Sequence, residues 1–316
     1  MIPIKDDGGV EREPDIAFNG TNYMAVWSEG DFGGMHTVRA TRVTMQGVVL
    51  DSGIPFGKDS YLEYRPGIAF GGGRWLAVWY TYSEPYGVFA RFLNNEGQPD
   101  GEAFDITTSP YGNFYEPDIA SAGAYFLVIW NEQTPYTADD VLGMVVDSSG
   151  TAVTGVIPIA VGPGFQSRPR VSGGNEFLVV WDDNGEIRGQ KISAGGQLSG
   201  TSFEISDPTA GDRQSADVAS GTHNCMAIWM QYNAGSYDIF GNLDTPARID
   251  NADAPGVLVQ KKVPTIVSGP LRRYARTEDA VLYDVSGRTV TGEPGTPGIY
   301  FLVESHDRIM KLIKVH

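Results

Sequence analysis

The sequence has little cysteine, little histidine and no long apolar run. Cys225 is the only cysteine, so no disulfide can form within the chain. No segment approaches the roughly eighteen apolar residues of a membrane helix, and the opening residues lack a signal-peptide pattern. The four histidines have no metal-ligand spacing, and no nucleotide-binding fingerprint is present. We therefore predict no transmembrane segment, no metal and no other cofactor.

Positive charge is also scarce, and it is unevenly distributed. The chain has 39 acidic and 23 basic residues, which gives a net charge of −16. Residues 1–260 hold 33 acidic and 14 basic side chains, whereas residues 261–316 hold 6 and 9. A strongly acidic body argues against nucleic acid or an anionic membrane as partner, because phosphate binding needs a basic face.

Against these absences stands one segment that occurs five times. It occupies residues 13–27, 65–79, 116–130, 168–181 and 215–229, and each copy ends in tryptophan. The tryptophans recur about every fifty residues, a period typical of propellers and solenoids. The register also places Cys225 at an aromatic position of the repeat, where we expect a small core residue.

Each repeat reads as four short strands, which we denote a to d. Strand b is apolar on both faces, as expected for a sheet packed between two neighbours. Strand c carries a small residue in every copy, and strand d holds a short motif such as Ile-Pro-Phe or Phe-Asp-Ile. The fifth repeat lacks strand d, while residues 2–4 (Ile-Pro-Ile) resemble one without a preceding unit.

The fold class predicted is all-β. Residues 1–250 form a five-bladed β-propeller, closed when residues 2–4 complete the fifth blade, which removes the exposed edges of an open array. A chain latched in this way needs its first residues, so we expect a mature end that follows a removed leader. Residues 251–262 are a linker, and residues 263–316 form a small β-sandwich-like domain.

The tail carries a family resemblance. The segments VLYDVSGRTV, GTPGIYFLVES and RIMKLIKVH are similar to the C-terminal sorting domain of the bacterial type IX secretion (Por) system. The repeats, with their IAxxGxxYLVVW-type strands and the DIFG segment, resemble those of bacterial extracellular β-propellers. These resemblances imply a secreted bacterial protein, extracellular or at the cell surface, and imply no activity.

The loops between strands d and a and between strands b and c open on one face of a propeller, at the mouth of its central channel. In this chain they are rich in tyrosine beside carboxylates and amides, a composition that suits sugar rings or a protein partner. The predicted ligand-binding residues are Tyr61, Tyr64, Tyr80, Tyr82, Tyr111 and Tyr115. The same rings can also serve only to pack the loops together.

Asp15, Asp118 and Asp217 occupy one position of the repeat, at the start of strand a. Some five-bladed propellers are glycoside hydrolases with carboxylates there, and glycoside hydrolysis needs two carboxyl groups in distinct environments. Catalytic carboxylates should depart from the repeat, however, whereas these recur with it. A set of structural hydrogen bonds explains them equally well.

We therefore expect a protein that is not an enzyme: a secreted binding or structural module. Its partners would be extracellular glycan, another protein or further copies of itself. The basic tail could dock on the acidic body of the next copy and form a filament. The alternatives are a glycoside hydrolase that uses two of the three aspartates, and a carbohydrate-binding lectin.

Overall fold

The computed structural model describes residues 2–6, 9–30, 34–58, 62–108, 113–133, 139–206, 211–221, 224–233 and 235–244, and the backbone of four later strands. The described residues form strands and turns and no helix. None of them belongs to a helix long and apolar enough to cross a membrane. The fold is an all-β, five-bladed propeller, as predicted.

Four of the blades are complete antiparallel sheets. Blade 1 contains β1 (Val10–Phe18), β2 (Asn22–Gly30), β3 (His36–Thr44) and β4 (Ile54–Pro55). Blade 2 contains β5 (Glu63–Gly71), β6 (Arg74–Thr81), β7 (Gly87–Leu93) and β8 (Phe104–Thr108). Blade 3 contains β9 (Asn113–Ala122), β10 (Tyr125–Gln133), β11 (Asp139–Asp147) and β12 (Ile157–Ala160). Blade 4 contains β13 (Gln166–Gly173), β14 (Glu176–Asp183), β15 (Glu186–Ser193) and β16 (Leu198–Glu204).

Blade 5 has three strands among the described residues: β17 (Arg213–Ser220), β18 (Cys225–Asn233) and β19 (Ser236–Asp244). The chain divides into two compact units. The first holds residues 1–184 and 188–203, and the second holds residues 185–187 and 204–316. Blades 1 to 3 and most of blade 4 therefore belong to the first unit, and blade 5 belongs to the second.

The predicted closing strand is not formed. Residues 2–6 lie outside every strand, and they contact blade 1. A Cβ atom added at Gly47 would lie 2.5 Å from Cδ1 of Ile2, and Nζ of Lys5 lies 3.6 Å from Oε2 of Glu29. In the same way, Ile54 of blade 1 and Ile157 of blade 3, both in strand d, lie against Gly97 and Gly196 of the following blade. The contact with Gly47 is therefore compatible with a strand d that precedes blade 1, and the pairing of residues 2–4 with the fifth blade stays a prediction.

The core of the first unit lies between consecutive blades. Separate apolar clusters join blade 1 to blade 2, blade 2 to blade 3 and blade 3 to blade 4. The repeat tryptophans are buried in every blade, with Trp79 and Trp130 wholly inaccessible. Strand c carries small residues because side chains of the neighbouring strand d lie close to its backbone. A Cβ atom at Gly143, for example, would lie 2.9 Å from Ile159 in strand d.

The aromatic position of the repeat is less uniform than expected. Trp75, Phe126 and Phe177 are fully buried, whereas Cys225 is partly exposed, and its Sγ lies 3.3 Å from the hydroxyl of Ser220. Cys225 is therefore only partly a core residue. A cysteine is much smaller than the aromatic rings that fill this position in blades 2 to 4.

Four further strands form one sheet in the order β20, β23, β22, β21. They are β20 (Thr265–Ser268), β21 (Val281–Asp284), β22 (Gly298–Glu304) and β23 (Arg308–Val315). All four strands lie within residues 263–316, for which a small β domain is predicted. The sandwich-like domain and the linker at 251–262 stay predictions.

Candidate active site

Strand a of each blade contains a bulge at the same position of the repeat. In the first unit, β1 neighbours β5, β5 neighbours β9 and β9 neighbours β13, so these strands form one continuous inner layer. The pairing of strands a and b shifts register at the bulge, for example between Arg12 and Asp15. A bulge re-aims the adjacent side chains, and bulges are frequent beside active sites.

The residue at each bulge has a positive φ although it is not glycine. These residues are Glu13, Arg65, Glu116, Arg168 and Ser215, with φ between 47° and 58°. For a residue that has a Cβ, this left-handed backbone conformation costs about 1–2 kcal/mol relative to the usual right-handed or extended one. Such strain is commonly found at functional sites, and here it recurs in every blade.

Arg65 joins its two neighbours across the blade boundaries. Its Nη1 donates to Oε1 of Glu116 at 2.9 Å, and its Nε lies 3.4 Å from Oε1 of Glu13. The backbone N–H of Arg65 also donates to Oε2 of Glu13 at 2.8 Å. Oε2 of Glu116 is buried and has no hydrogen-bond partner among the described residues. We call Glu13, Arg65 and Glu116 the charged triad.

Three of the predicted tyrosines form a row beside the charged triad. The rings of Tyr64 and Tyr80 stack with centroids 5.7 Å apart, and Tyr115 meets Tyr80 edge to face at 6.3 Å. Burial, and then the charge of Glu13, raises the pKa of Tyr80 well above its usual range. Tyr64, Tyr80 and Tyr115 are all partly exposed. The structure therefore brings together three of the six predicted ligand-binding residues.

The other three predicted tyrosines have different positions. Tyr82 is about half exposed and meets Tyr86 edge to face at 6.3 Å, which is packing within one loop. Burial, and then Tyr82 and Asp139, raises the pKa of Tyr115. Tyr82 therefore lies near the row without stacking in it. Tyr61 and Tyr111 lie outside the described residues.

Two of the predicted aspartates bind the backbone of the next blade. Oδ2 of Asp15 accepts the N–H of Ile68 at 2.9 Å, and Oδ2 of Asp118 accepts the N–H of Val171 at 2.8 Å. Asp118 also accepts the N–H of Ile119 on Oδ1 at 2.9 Å. The predicted structural hydrogen bonds are therefore present, and as whole residues Asp15 and Asp118 are partly exposed.

Asp118 is nevertheless in an unusual electrostatic environment. Burial, and then the charge of Asp15, raises the pKa of Asp118 to about 7, against the opposing effects of Arg170 and the two backbone N–H groups. At neutral pH a large share of Asp118 is thus protonated. The charge of Asp15 contributes to this raised pKa, so the two carboxyls interact electrostatically, and we call them the coupled pair.

Asp217 is different. It is exposed in blade 5, and its Oδ1 accepts the N–H of Val218, the next residue, at 2.8 Å. Blade 5 belongs to the second unit. The coupled pair of the first unit therefore consists of Asp15 and Asp118.

Sequence reasoning did not select the carboxylates of the charged triad, nor Asp139. Burial, and then Glu116 and Asp140, raises the pKa of Asp139. Asp139 pairs with Gln133 in the hairpin of blade 3, and His36 occupies the same place in blade 1. Asp139 therefore departs from the repeat, and that departure is a signal that the sequence did contain.

The described residues contain no group of three or more histidine, cysteine, aspartate or glutamate side chains that could hold a metal ion. The two aspartates after Trp181, Asp182 and Asp183, form ion pairs with arginines. Asp182 accepts from Nη1 of Arg168 at 3.0 Å, and Asp183 lies 3.6 Å from Nε of Arg188. This turn binds cationic side chains of the protein itself.

No protein-family model matches the sequence, and no curated protein matches it significantly. Similar solved structures include an ulvan lyase of polysaccharide lyase family PL25, with a TM-score of 0.55 and 7% identity over 76% of this chain and 68% of that chain. A second is the catalytic domain of a GH62 α-L-arabinofuranosidase from Coprinopsis cinerea, with a TM-score of 0.44 and 10% identity over 77% and 94% of the two chains. A third is a thermostable family-43 glycoside hydrolase, with a TM-score of 0.46 and 7% identity over the same shares.

These comparisons contradict the prediction that the protein is not an enzyme, because the similar structures include propeller enzymes of families GH43 and GH62. With identities of 7–13%, the likeness itself establishes the fold.

Proposed function

We propose that the protein is a glycoside hydrolase whose catalytic pair is Asp118, as general acid, and Asp15, as general base. The observation that carries the proposal is the coupling of these two carboxyls, with the pKa of Asp118 raised to about 7. Glycoside hydrolysis needs one protonated and one ionised carboxyl at the same pH. Two carboxyls whose environments differ meet this need.

Asp118 gives its proton to the glycosidic oxygen while the bond from that oxygen to the anomeric carbon breaks. Water attacks the anomeric carbon, and Asp15 takes the proton that the water loses. The hydrogen bond from Ile68 N–H to Asp15 favours the ionised carboxylate that this role requires. The free enzyme is restored when the proton returns from Asp15 to Asp118 through solvent.

The tyrosine row supplies the binding surface for a sugar chain. Flat amphipathic rings stack on the apolar faces of sugars and offer hydroxyls for hydrogen bonds. Tyr64, Tyr80 and Tyr115 come from blades 2 and 3, beside the strands that carry the charged triad. The proposed substrate is therefore a polysaccharide, as the names of the similar enzymes also suggest.

The charged triad favours hydrolysis over the elimination reaction that a polysaccharide lyase performs. Elimination acts on uronic acids, whose carboxylate must be neutralised by a positive group. Arg65 is the cation of the triad, and it already binds both Glu13 and Glu116. The substrate proposed is accordingly a neutral glycan.

The test is release of reducing sugar from a panel of neutral polysaccharides and polyuronates. We expect wild-type activity on a neutral member, and a loss of at least about 100-fold in Asp118→Asn and in Asp15→Asn. Asp105→Asn is the control, because Asp105 is exposed on the outer strand β8 and pairs with Lys58. Equal activity in all four proteins would refute the catalytic pair. Unsaturated products from a polyuronate would indicate a lyase instead.

An extracellular location completes the proposal. It is supported by the resemblance of the tail to a secretion sorting domain and by the size of a polysaccharide substrate. Recovery of the chain from culture medium is the expected result, and finding it only inside cells would contradict the location. Self-assembly through residues 263–316 stays a prediction, which electron microscopy of the recovered protein can check.

A further inference from the structure

One blade of the first unit lacks a side chain at the position of the catalytic pair. The residues at this position of the repeat are Asp15, Gly67, Asp118, Arg170 and Asp217. Blade 2 therefore breaks a pattern that blades 1 and 3 follow. The consequences of this break are visible in the hydrogen bonds of strand a.

The next residue of strand a presents a backbone N–H that needs an acceptor. In blade 2 the N–H of Ile68 is bound by Asp15 of blade 1, and in blade 4 the N–H of Val171 is bound by Asp118 of blade 3. In both places the preceding blade supplies the carboxylate. In both cases the aspartate carboxylate accepts a backbone N–H from strand a of the following blade.

Ile119 of blade 3 is the exception. The preceding blade has Gly67, which offers no acceptor, and the N–H of Ile119 is bound by Oδ1 of Asp118 itself. Asp118 therefore holds two backbone N–H groups, one on each oxygen. In blade 5, likewise, Asp217 binds the N–H of Val218, its own neighbour.

We propose that Gly67 is a positioning residue for Asp118: by offering no acceptor to Ile119 N–H, it makes the Asp118 carboxyl bind backbone N–H groups on both oxygens. The inference rests on the proposed function only for its kinetic consequence. The orientation of Asp118 follows from the hydrogen bonds alone. A side-chain acceptor at position 67 would compete for Ile119 N–H and release one oxygen of Asp118.

The space around Gly67 allows this to be tested. A Cβ atom at Gly67 would lie 3.3 Å from Cγ2 of Val78, 3.3 Å from Cγ2 of Ile119 and 3.8 Å from Cα of Asp118. These contacts require shifts of a few tenths of an ångström, so Gly67→Ala is a fitting control that adds a Cβ without an acceptor. Gly67→Asn adds a neutral acceptor of the same length as Asp15, which reaches Ile68 N–H from the equivalent position.

Only one of the two variants should affect the proton on Asp118. Hydrogen bonds to a carboxylate favour its ionised form, so loss of the Ile119 N–H would raise the pKa of Asp118 further. The charged groups that act on Asp118 are Asp15 from β1 and Arg170 from β13, and neither is altered. Gly67→Ala leaves both N–H bonds in place.

The experiment is a carbon-13 NMR titration of the Asp118 carboxyl in the wild type, Gly67→Ala and Gly67→Asn. We expect the midpoint to move upward by roughly one pH unit in Gly67→Asn and to stay unchanged in Gly67→Ala. Thermal unfolding checks that each variant is folded. If Gly67→Asn does not fold, Gly67→Ser provides a smaller acceptor for the same titration.

An unmoved midpoint in Gly67→Asn, or equal shifts in both variants, would overturn the inference. With an active substrate, the high-pH limb of the kcat/KM profile should move in parallel with the titration, whereas a purely structural effect would lower the rate without moving the limb. The expected titration together with no hydrolysis of any glycan would refute the proposed function and leave the positioning role in place.

Discussion

Arg65 of blade 2 donates from Nη1 to Oε1 of Glu116 of blade 3 at 2.9 Å, although the two residues are 51 positions apart in the chain. Both sit on bulges with positive φ, and Arg65 also lies against Glu13 of blade 1. One guanidinium therefore connects the inner strands of three blades. Glu13 and Arg65 also act on the pKa of Tyr80, so this contact lies beside the tyrosine row of the proposed site.

Removing Arg65 tests the role of the charged triad. In Arg65→Gln, Glu13 and Glu116 lose their common cation, so the tyrosine row beside them faces uncompensated negative charge. We expect kcat/KM on a neutral glycan to fall about tenfold, a difference of about 1.4 kcal/mol. The free energy of unfolding, measured in urea, should change by less than about 1 kcal/mol, because partly exposed ion pairs contribute little to stability.

Arg74→Gln is the matched control for this change. Arg74 is likewise partly exposed, and its Nη2 lies 2.7 Å from Oδ2 of Asp100. It starts strand β6, at the opposite end of the strand from Tyr80. Equal losses of activity in the two variants would show that the charged triad has no special part in the reaction.

The tyrosine row is tested by Tyr115→Leu, which removes the ring that meets Tyr80 edge to face. We expect KM to rise about tenfold with little change in kcat, because stacking on a sugar contributes to binding in the ground and transition states alike. Tyr125→Leu is the comparison variant. Tyr125 begins β10, whereas Tyr115 pairs with Asn131 near the other end of that strand. A rise in KM for both variants would contradict the assignment.

The raised pKa of Asp118 also predicts a pH dependence of stability. From pH about 4 to pH 7 the folded protein holds a proton on Asp118 that the unfolded chain has released. Stability should therefore fall as the pH rises through this window. Asp118→Asn cannot titrate, so the free energy of unfolding of the wild type relative to this variant should decrease between pH 4 and 7. The raised pKa would be contradicted if the difference in free energy of unfolding between the wild type and Asp118→Asn, measured in urea, did not change with pH.

The packing between blades predicts a large effect for the repeat tryptophans. Trp130 is fully buried in the cluster that joins blades 2 and 3. Trp130→Ala should lower the free energy of unfolding by about 3–5 kcal/mol, because a large cavity remains. Phe165→Ala is the control, since Phe165 is 61% exposed, and it should cost less than about 0.5 kcal/mol. A loss for Trp130→Ala no larger than that of the control would contradict the packing scheme.

Local patterns in the chain were sufficient to predict the blades. The tryptophan period and the two-faced apolar character of strand b indicated five stacked sheets, and the strands observed follow that period. The closing strand at residues 2–4 stays a prediction, because these residues form no strand in the described part of the chain. Pairing between strands depends on backbone hydrogen bonds to a distant segment, which a three-residue motif does not specify.

The candidate site was only partly predictable, for a related reason. Asp15, Asp118 and the tyrosines could be identified by position in the repeat, and Asp139 could have been found because it departs from the repeat. The charged triad could not be identified from the sequence. Glu13 and Arg65 occupy one position of the repeat but differ in charge, so no shared chemistry marks that position. Their significance depends on a positive φ and on contacts about fifty residues away.

The amino-acid sequence by itself determined the number of blades, their strands and their cores, because these depend on the spacing of apolar residues along the chain. The tertiary structure alone decided which carboxyls act together. Asp15 and Asp118 become a coupled pair only when blades 1, 2 and 3 stack, and Asp118 binds Ile119 N–H only because Gly67 supplies no acceptor. Electrostatic coupling and hydrogen bonding depend on distance in space, which the order of residues does not specify.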